Sequence, residues 1–322
     1  MGSGRWSTNV YDEHNHFKAA AGKSIFDYSD GMHKSGRSTW HVHKSLDPKG
    51  CGVRESRDND EHPESTAIAV MFDVTGSMGS IPVTLQKKLP ELLGLLLRKG
   101  YVADPQILFG AIGDATCDRV PLQVGQFESD NRMDENLENI FLEGGGGGQQ
   151  TESYELAMYF LARHTDIDCW NKRGHKGYLF MIGDEMAYPS VKRHGFRDII
   201  EEGAERDIPT AEIIRELQQR YHVFYILPQT ASNGRDAKIL GFWRKLLGQN
   251  VLELEDPEAV CETIAPTIGM MEGTIDLYAG TDDLREFGTA DSTLKVVTTA
   301  LENIPVNMTK AKTLSGFLPG LR

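Results

Sequence analysis

Apolar residues follow two alternating patterns along the chain, short unbroken runs and longer stretches with helical spacing. The run at 66–72 has the length of a buried strand and ends in a polar cluster at 73–80 that is typical of a turn. Between 81 and 99, leucines recur every three or four residues, which predicts a helix that stops at Gly100. This segment therefore predicts a strand, a loop and a helix in succession.

The same alternation continues as far as residue 271. Further strands are predicted at 106–113, 120–124, 176–182, 222–227 and 251–254, the second of which closes an antiparallel hairpin. Further helices are predicted within 134–142, 151–164, 196–221, 236–247 and 257–271. Strands that alternate with helices through short loops indicate an α/β fold, a doubly wound and mostly parallel sheet with helices on both faces. Right-handed crossovers then place the strand-to-helix loops along one edge of the sheet.

Composition divides the chain into three parts. Residues 1–65 are polar and have no sustained apolar period, so we predict an N-terminal arm whose boundary lies in the charged run 54–64. Residues 66–271 form the predicted α/β domain. Residues 272–322 are predicted to be a C-terminal extension that is helical in part, with one helix near 290–302.

The charge and the apolar content limit the classes of partner. With 34 Lys and Arg against 47 Asp and Glu, the formal net charge is -13, which repels a phosphate backbone, so no nucleic-acid partner is expected. No apolar stretch reaches the length of a membrane helix, and the first 20 residues lack the apolar segment of a signal peptide. We therefore expect a protein without membrane contact, located in the cytoplasm or in a phage particle.

Three of the predicted loops hold the oxygen-bearing side chains that Mg²⁺ prefers. The first contains Asp73, Thr75 and Ser77, the second contains Thr151 after five consecutive glycines, and the third contains Asp184. In an open parallel sheet, ligands bind at the carboxyl ends of the strands, where these loops should meet. Mg²⁺ takes six oxygen ligands, uses few carboxylates and keeps some of its waters. The sequence therefore predicts a site for Mg²⁺, or for Mn²⁺, at this edge.

The run FDVTGSM, followed by Thr151 and Asp184, resembles the metal-ion-dependent adhesion site of the von Willebrand factor A (vWA) family. That site reads D-x-[ST]-x-S, then a later Thr and a later Asp. The resemblance covers about 66–271 and is closest to intracellular bacterial and phage members. It implies that Thr75, Ser77 and Thr151 contact the ion through their hydroxyls, while Asp73 and Asp184 act largely through waters or hydrogen bonds.

The glycine run and the third loop depart from the family pattern. Five glycines at 144–148 exceed the usual pair, which leaves Ser153 and Gln150 as alternatives to Thr151 as a ligand. The third loop reads Gly-Asp-Glu rather than Asp-Gly. Asp114, at the end of the second strand, is predicted either to orient a water or hydroxyl of the site or to close a turn.

Three further residues beside these loops are candidates for contact with a partner. They are Gly146, which lacks a side chain and would allow close approach, Glu185, which adds a carboxylate, and Tyr188, which offers an aromatic anchor. The resemblance implies a binding module without catalysis of its own. Hydroxyl ligands leave the charge of the ion poorly neutralised, so a carboxylate from a partner protein should complete its shell.

The expected partner is a protein that presents Glu or Asp. Bacterial vWA proteins often work with an AAA+ ATPase or act as assembly scaffolds, so the resemblance allows such a partner, assembly subunits or an oligomer. Two alternatives stay open. The chain could be a structural subunit of a particle that uses its arm and tail, or, with less support, a metal-dependent phosphohydrolase. Against the latter, Thr75 stands where haloacid-dehalogenase-type phosphatases usually have a second Asp.

Overall fold

A computed structural model describes residues 26–193, 197–201 and 205–304. The ends of the predicted arm and extension, 1–25 and 305–322, lie outside this range. The strands are β1 (Arg54–Ser56), β2 (Thr66–Asp73), β3 (Pro105–Ile112), β4 (Leu122–Val124), β5 (Thr151–Glu152), β6 (Thr165–Ile167), β7 (Gly177–Ile182), β8 (Met186–Ala187), β9 (Ser190–Val191), β10 (Ile208–Pro209), β11 (Tyr221–Pro228) and β12 (Val251–Leu254).

Helices connect most of these strands and also follow the last one. They are α1 (Asp27–Lys34), α2 (Ile81–Lys88), α3 (Glu91–Lys99), α4 (Arg132–Glu138), α5 (Tyr154–Arg163), α6 (Asp168–Arg173), α7 (Thr210–Arg220), α8 (Ala237–Leu247), α9 (Val260–Glu272), α10 (Leu277–Glu286) and α11 (Asp291–Leu301). Among the described residues, no helix has both the length and the apolar character needed to cross a membrane.

The central sheet has six strands in the order β12-β11-β7-β2-β3-β4. Neighbouring strands are parallel except for β4, which is antiparallel to β3 and closes the predicted hairpin. The register pairs Phe72 with Ile182 and Asp73 with Ile112, so the carboxyl ends of β2, β3 and β7 lie side by side. The predicted α/β class, with a doubly wound and mostly parallel sheet, is confirmed.

Side chains of β2 alternate between two hydrophobic layers, one on each face of the sheet. Ile68 and Phe72 pack in a layer with α2, α3 and α9, whereas Ala69 and Met71 pack in a layer with α5, α7 and α8. Because helices cover both faces, the strand has no solvent-facing side and every residue in it is buried. This explains why its sequence is a continuous apolar run rather than an alternating one.

The helix predicted at 81–99 is two helices, α2 and α3. The chain bends between them at Leu89 and Pro90. Proline has no N–H group, and its ring clashes with the backbone carbonyl four residues earlier, so a helix that reaches it is interrupted. At the start of α3 the missing N–H costs nothing, because the first amides of a helix have no partner within it. The leucines keep their helical spacing on both sides of Leu89 and Pro90, so the apolar pattern shows no break between the two helices.

The predicted arm is integrated in part with the α/β unit. The charged segment taken as its boundary contains β1, which pairs in parallel with β6. The Nη2 atom of Arg54 donates hydrogen bonds to the backbone carbonyls of Ser45, Asp47 and Val124, at 3.1, 3.3 and 2.7 Å. Hydrogen bonds of this kind leave no trace in apolar periodicity, which is why the sequence pattern indicated only a polar arm.

The described part of the C-terminal extension packs on the same core. The helix predicted near 290–302 is confirmed as α11, whereas α10 was not predicted. The buried side chains Leu284, Leu294, Val297 and Leu301 belong to the hydrophobic layer that contains Ile68 and Phe72. Up to residue 304, the extension is therefore part of the folded unit.

We expect Leu301→Ala to lower the free energy of unfolding by about 2–5 kcal/mol, the usual cost of truncating a fully buried leucine. Leu301 is 0% exposed. Tyr278, on α10 and 81% exposed, supplies a matched control, and Tyr278→Ala should change stability by less than about 0.5 kcal/mol. Urea unfolding followed by circular dichroism measures both. Equal stabilities for the two variants would show that α11 contributes nothing to the core.

Candidate cation-binding site

The first predicted loop begins at the last residue of β2. Asp73 Oδ1 accepts hydrogen bonds from the backbone N–H of Thr75, at 2.7 Å, and from the Thr75 hydroxyl, at 2.6 Å. A carboxylate that captures an amide two residues later is a common way to hold a tight turn. The Thr75 hydroxyl also lies 3.3 Å from the Ser77 hydroxyl. Asp73 therefore fixes both the turn and the orientation of the first hydroxyl.

Ser77 connects this loop to the third one. Its hydroxyl donates to Asp184 Oδ1 at 2.7 Å, and the backbone N–H of Asn233 donates to Asp184 Oδ2 at 2.8 Å. Asp184 follows β7, the neighbour of β2 in the sheet, which is why residues 107 positions apart meet. The structure thus brings four predicted ligands, Asp73, Thr75, Ser77 and Asp184, into one row of polar contacts, which we call the hydroxyl chain. Their role as metal ligands stays a prediction.

Asp73 is fully buried, and its hydrogen-bond donors are neutral groups. Its second oxygen, Oδ2, accepts a hydrogen bond of 2.6 Å from the Tyr154 hydroxyl on α5. Burial raises the pKa of Asp73 to about 7, although the hydrogen bonds from Thr75 and Tyr154 oppose the rise, and the nearby charge of Asp184 adds to it. Among the described residues, no positively charged group donates a hydrogen bond to Asp73, so the negative charge of its ionised form is not balanced there.

The glycine-rich loop packs against the first loop of the same chain. Gly76 N donates to Gly145 O at 2.7 Å, and Gly144 N donates to Val74 O at 3.0 Å. Gly146 has a φ of 107°, and a Cβ placed there would lie 3.0 Å from Glu152 Oε1 and 3.5 Å from Thr75 Cβ. The glycines therefore permit a close internal approach. The amide of Gly146, a predicted partner contact, is already bonded to Asp118 Oδ1 at 2.9 Å.

Thr151 lies in β5, which pairs in parallel with β8. Its side chain lies near the Tyr188 hydroxyl, and within the described ranges no hydrogen bond joins it to Asp73, Thr75 or Ser77. The two alternatives to Thr151 are also bonded elsewhere. Ser153 Oγ accepts from Ala115 N at 2.9 Å, and Gln150 Nε2 donates to Asp236 Oδ2 at 2.9 Å. In the part of the chain that the structure describes, none of these three side chains hydrogen-bonds to Asp73.

The side chains of Glu152 and Glu185 are also buried at this edge of the sheet. Glu152 is 1% exposed and Glu185 is 5% exposed, and their carboxyl groups contact each other. The Oε2 atom of each receives no hydrogen bond from an N–H or hydroxyl group. Burial and nearby carboxylates raise the pKa of both glutamates. Glu185 was a candidate for partner contact, but its carboxyl group is buried inside the site. Sequence reasoning passed over Glu152, although it directly follows the predicted ligand Thr151.

Asp114 performs the turn-closing role that was one of its two predicted alternatives. One of its oxygens accepts from both the backbone N–H and the hydroxyl of Thr116, each at 2.8 Å. The other accepts from Gln149 Nε2 at 2.6 Å and from the Tyr188 hydroxyl at 3.1 Å. None of the hydrogen bonds seen in the described residues joins Asp114 to Asp73, Thr75 or Ser77. Asp114 therefore positions Tyr188 rather than the hydroxyl chain.

A cavity of about 390 Å³ opens beside Tyr188. Its lining is mostly apolar and includes Leu156, Pro189 and Val191, with Glu155 at one side. Tyr188 N donates to Glu155 Oε2 at 3.1 Å, and burial raises the pKa of Glu155 to about 8. The cavity therefore offers a largely uncharged surface next to the acidic edge.

The donor set fits a hard divalent cation. Five carboxyl groups are buried at this edge, and across the ranges that the structure describes their hydrogen bonds come only from neutral groups. They belong to Asp73, Asp114, Glu152, Asp184 and Glu185. In the same ranges no three His, Cys, Asp or Glu side chains form a group that would hold an ion by themselves. An ion here would need hydroxyl and water oxygens as well, which Mg²⁺ accepts readily.

No protein-family model and no curated protein sequence matches this chain. Among solved structures, the pilus adhesin SpaC from Lactobacillus rhamnosus GG in its open conformation is similar with a TM-score of 0.46 and 10% identity. The match covers 67% of this chain and 31% of the adhesin. Proximal thread matrix protein 1 from the mussel byssus is similar with a TM-score of 0.42 and 10% identity, over 68% of this chain and 49% of that protein. This chain thus matches less than half the length of each.

Proposed function

We propose that the chain is a divalent-cation-dependent binding module of the vWA type. It would hold Mg²⁺, or Mn²⁺, and capture an acidic side chain of a partner protein, without catalysis of its own. The observation that supports this most is the hydroxyl chain at the carboxyl edge of a parallel sheet. In it Thr75 donates to Asp73, Ser77 donates to Asp184, and the two hydroxyl oxygens lie 3.3 Å apart. A hydroxyl-rich set flanked by two carboxylates is suited to an ion that keeps open positions.

The hydrogen bonds that Thr75 and Ser77 donate leave the lone pairs of their hydroxyl oxygens available to a cation. A serine or threonine hydroxyl has one hydrogen to donate and two lone pairs. Thr75 donates its hydrogen to Asp73, and Ser77 donates its hydrogen to Asp184. The lone pairs of both oxygens therefore remain for an ion, while Tyr154 holds Asp73 in place from the other side. When bound, the ion would supply a position that accepts a carboxylate oxygen.

Specificity for the partner would come from the surface around the ion. Tyr188 stands between the acidic edge and the apolar cavity, and its hydroxyl is fixed by Asp114 and Gln149. A rigid aromatic ring beside a cavity is a common anchor in protein interfaces. We infer that the partner presents Glu or Asp with an apolar neighbour. An AAA+ ATPase or an assembly subunit, in the cytoplasm or a phage particle, is the kind of partner that we propose.

Capture from a native extract tests the proposal. Immobilised protein should retain its partner in 5 mM Mg²⁺, on the order of the millimolar concentrations that saturate modest sites, and release it in EDTA. We expect Tyr188→Ala to reduce retention about 10-fold or more, whereas Tyr188→Phe, which keeps the ring, should retain most of it. Both variants should bind Mn²⁺ with wild-type affinity by calorimetry. Capture that survives EDTA and Asp73→Asn unchanged would contradict the metal-bridged mechanism.

A further inference from the structure

Two of the buried carboxyl groups beside the hydroxyl chain, those of Glu152 and Glu185, have so far been given no role toward the ion. We propose that these two glutamates belong to the cation site and bind the ion directly or through its waters. Glu152 would take the role that the sequence analysis gave to Thr151. This inference rests on the proposed function and concerns which oxygens hold the ion.

Glu152 faces the hydroxyl chain, whereas Thr151 faces away from it. Successive residues of a strand point to opposite sides. Thr151 lies near the Tyr188 hydroxyl, and the Oε1 atom of Glu152 lies against Gly146, on the side of Thr75. A Cβ at residue 146 would come within 3.0 Å of that oxygen, so the carboxyl group lies directly against the glycine-rich loop. The second loop thus offers a carboxylate to the site, not a hydroxyl.

Glu185 approaches from the third loop and is held firmly by its backbone. Its carbonyl oxygen accepts hydrogen bonds from Trp243 Nε1 at 2.8 Å and from the Tyr225 hydroxyl at 3.0 Å. Its Oε1 atom lies 3.3 Å from Asn233 Nδ2, and the backbone N–H of the same asparagine binds Asp184. Asp184 and Glu185 are therefore positioned together by one residue.

The buried carboxyl groups of Glu152 and Glu185 have no positively charged partner within the described ranges, which points to a bound cation. A buried carboxylate oxygen without a donor is costly, and buried charges in proteins are normally paired or bound to a metal. Here the carboxyl groups of Glu152 and Glu185 contact each other, and the Oε2 atom of each is buried without an N–H or hydroxyl donor. No lysine or arginine bonds to either side chain within the described ranges. A divalent cation with its bound waters supplies both the positive charge and the missing hydrogen-bond donors.

The experiment is Mn²⁺ titration of the EDTA-stripped full chain by calorimetry, with isosteric variants at the two rival positions. We expect Glu152→Gln to weaken Mn²⁺ binding about 10-fold or more, and Glu185→Gln to weaken it by a similar factor. Thr151→Val, which removes the hydroxyl and keeps the shape, should change the affinity by less than about 2-fold. A melting curve in EDTA checks folding, and Glu152→Gln should be at least as stable as wild type because it removes a buried carboxyl.

The outcomes separate this inference from the proposed function. If wild type itself binds no Mn²⁺, the cation site as a whole is refuted. If wild type binds, Asp73→Asn does not, and Thr151→Val loses the affinity while both glutamine variants keep it, only the assignment of the two glutamates is wrong. If Glu152→Gln does not fold, the comparison of Glu185→Gln with Thr151→Val decides the question alone.

Discussion

Replacing Asp73 with asparagine should weaken Mg²⁺ binding by at least about 100-fold and, in the same protein, raise the stability of the metal-free state at pH 8. The carboxylate carries the negative charge that a hard cation requires, and an amide oxygen of the same shape does not replace it. Asparagine still accepts the hydrogen bonds of Thr75, so the turn that follows β2 should persist. Calorimetric titration gives the affinity, and urea unfolding in EDTA gives the stability.

The pH dependence follows from the pKa of Asp73, which burial raises from 3.8 to about 7. Below pH 4 the carboxyl is protonated in both folded and unfolded chains, and it lowers stability little. Between pH 4 and 7 the unfolded chain releases this proton while the folded chain keeps it, so stability falls as the pH rises. Above pH 7 the loss is complete and amounts to about 4 kcal/mol, at 1.36 kcal/mol for each pKa unit.

Asp73→Asn should therefore lose less stability than wild type between pH 5 and pH 8 when both are measured in EDTA. Mg²⁺ should raise the melting temperature of wild type more at pH 8 than at pH 5, because the ion binds the ionised form. It should not raise that of the variant at either pH. Identical pH profiles for the two metal-free proteins would show that the Asp73 carboxyl is not the group that titrates.

Apolar periodicity was enough to predict the sheet. The runs that became β2, β7 and β11 are buried on both faces, so their sequences are almost purely apolar and their bounds were predicted to within one or two residues. Elements that are held by polar contacts were missed. β1 lies in a charged segment and is fixed by backbone pairing and by the Arg54 guanidinium, neither of which has a periodic signature.

The first loop of the candidate site could be predicted because its side chains are close together in the sequence. Asp73, Thr75 and Ser77 lie within five residues, so the turn itself brings their oxygens together. The second loop was harder, because in a strand one residue of offset moves a side chain to the opposite side. The sequence analysis passed over Glu152, which is the neighbour of Thr151. The pairing of β5 with β8 sets the sides to which these two side chains point, and that pairing depends on contacts distant in the chain.

Gly183→Ala should be among the most disruptive single substitutions in the chain. A Cβ at this position would lie 1.8 Å from the Tyr154 hydroxyl oxygen and 2.7 Å from its Cζ atom. Tyr154 cannot withdraw easily, since it is fully buried, packs edge-on against Trp243 and donates its hydrogen bond to Asp73. We expect a loss of about 3 kcal/mol or more in the free energy of unfolding, together with weaker Mg²⁺ binding because Asp73 loses its support.

A double-mutant cycle with Tyr154→Phe tests whether this contact is the cause. Without the hydroxyl, the new methyl group meets only the ring, so Gly183→Ala should cost at least about 1 kcal/mol less in the Tyr154→Phe background than in wild type. Gly241→Ala is the matched control. Gly241 lies in α8 with nothing within 4 Å of an added Cβ, so alanine there should stabilise the protein by about 0.5–1 kcal/mol through its higher helix propensity. If Gly183→Ala costs the same stability in both backgrounds, the clash with the Tyr154 hydroxyl is not the cause of the loss. The requirement for glycine at the end of β7 would then come from contacts other than that hydroxyl.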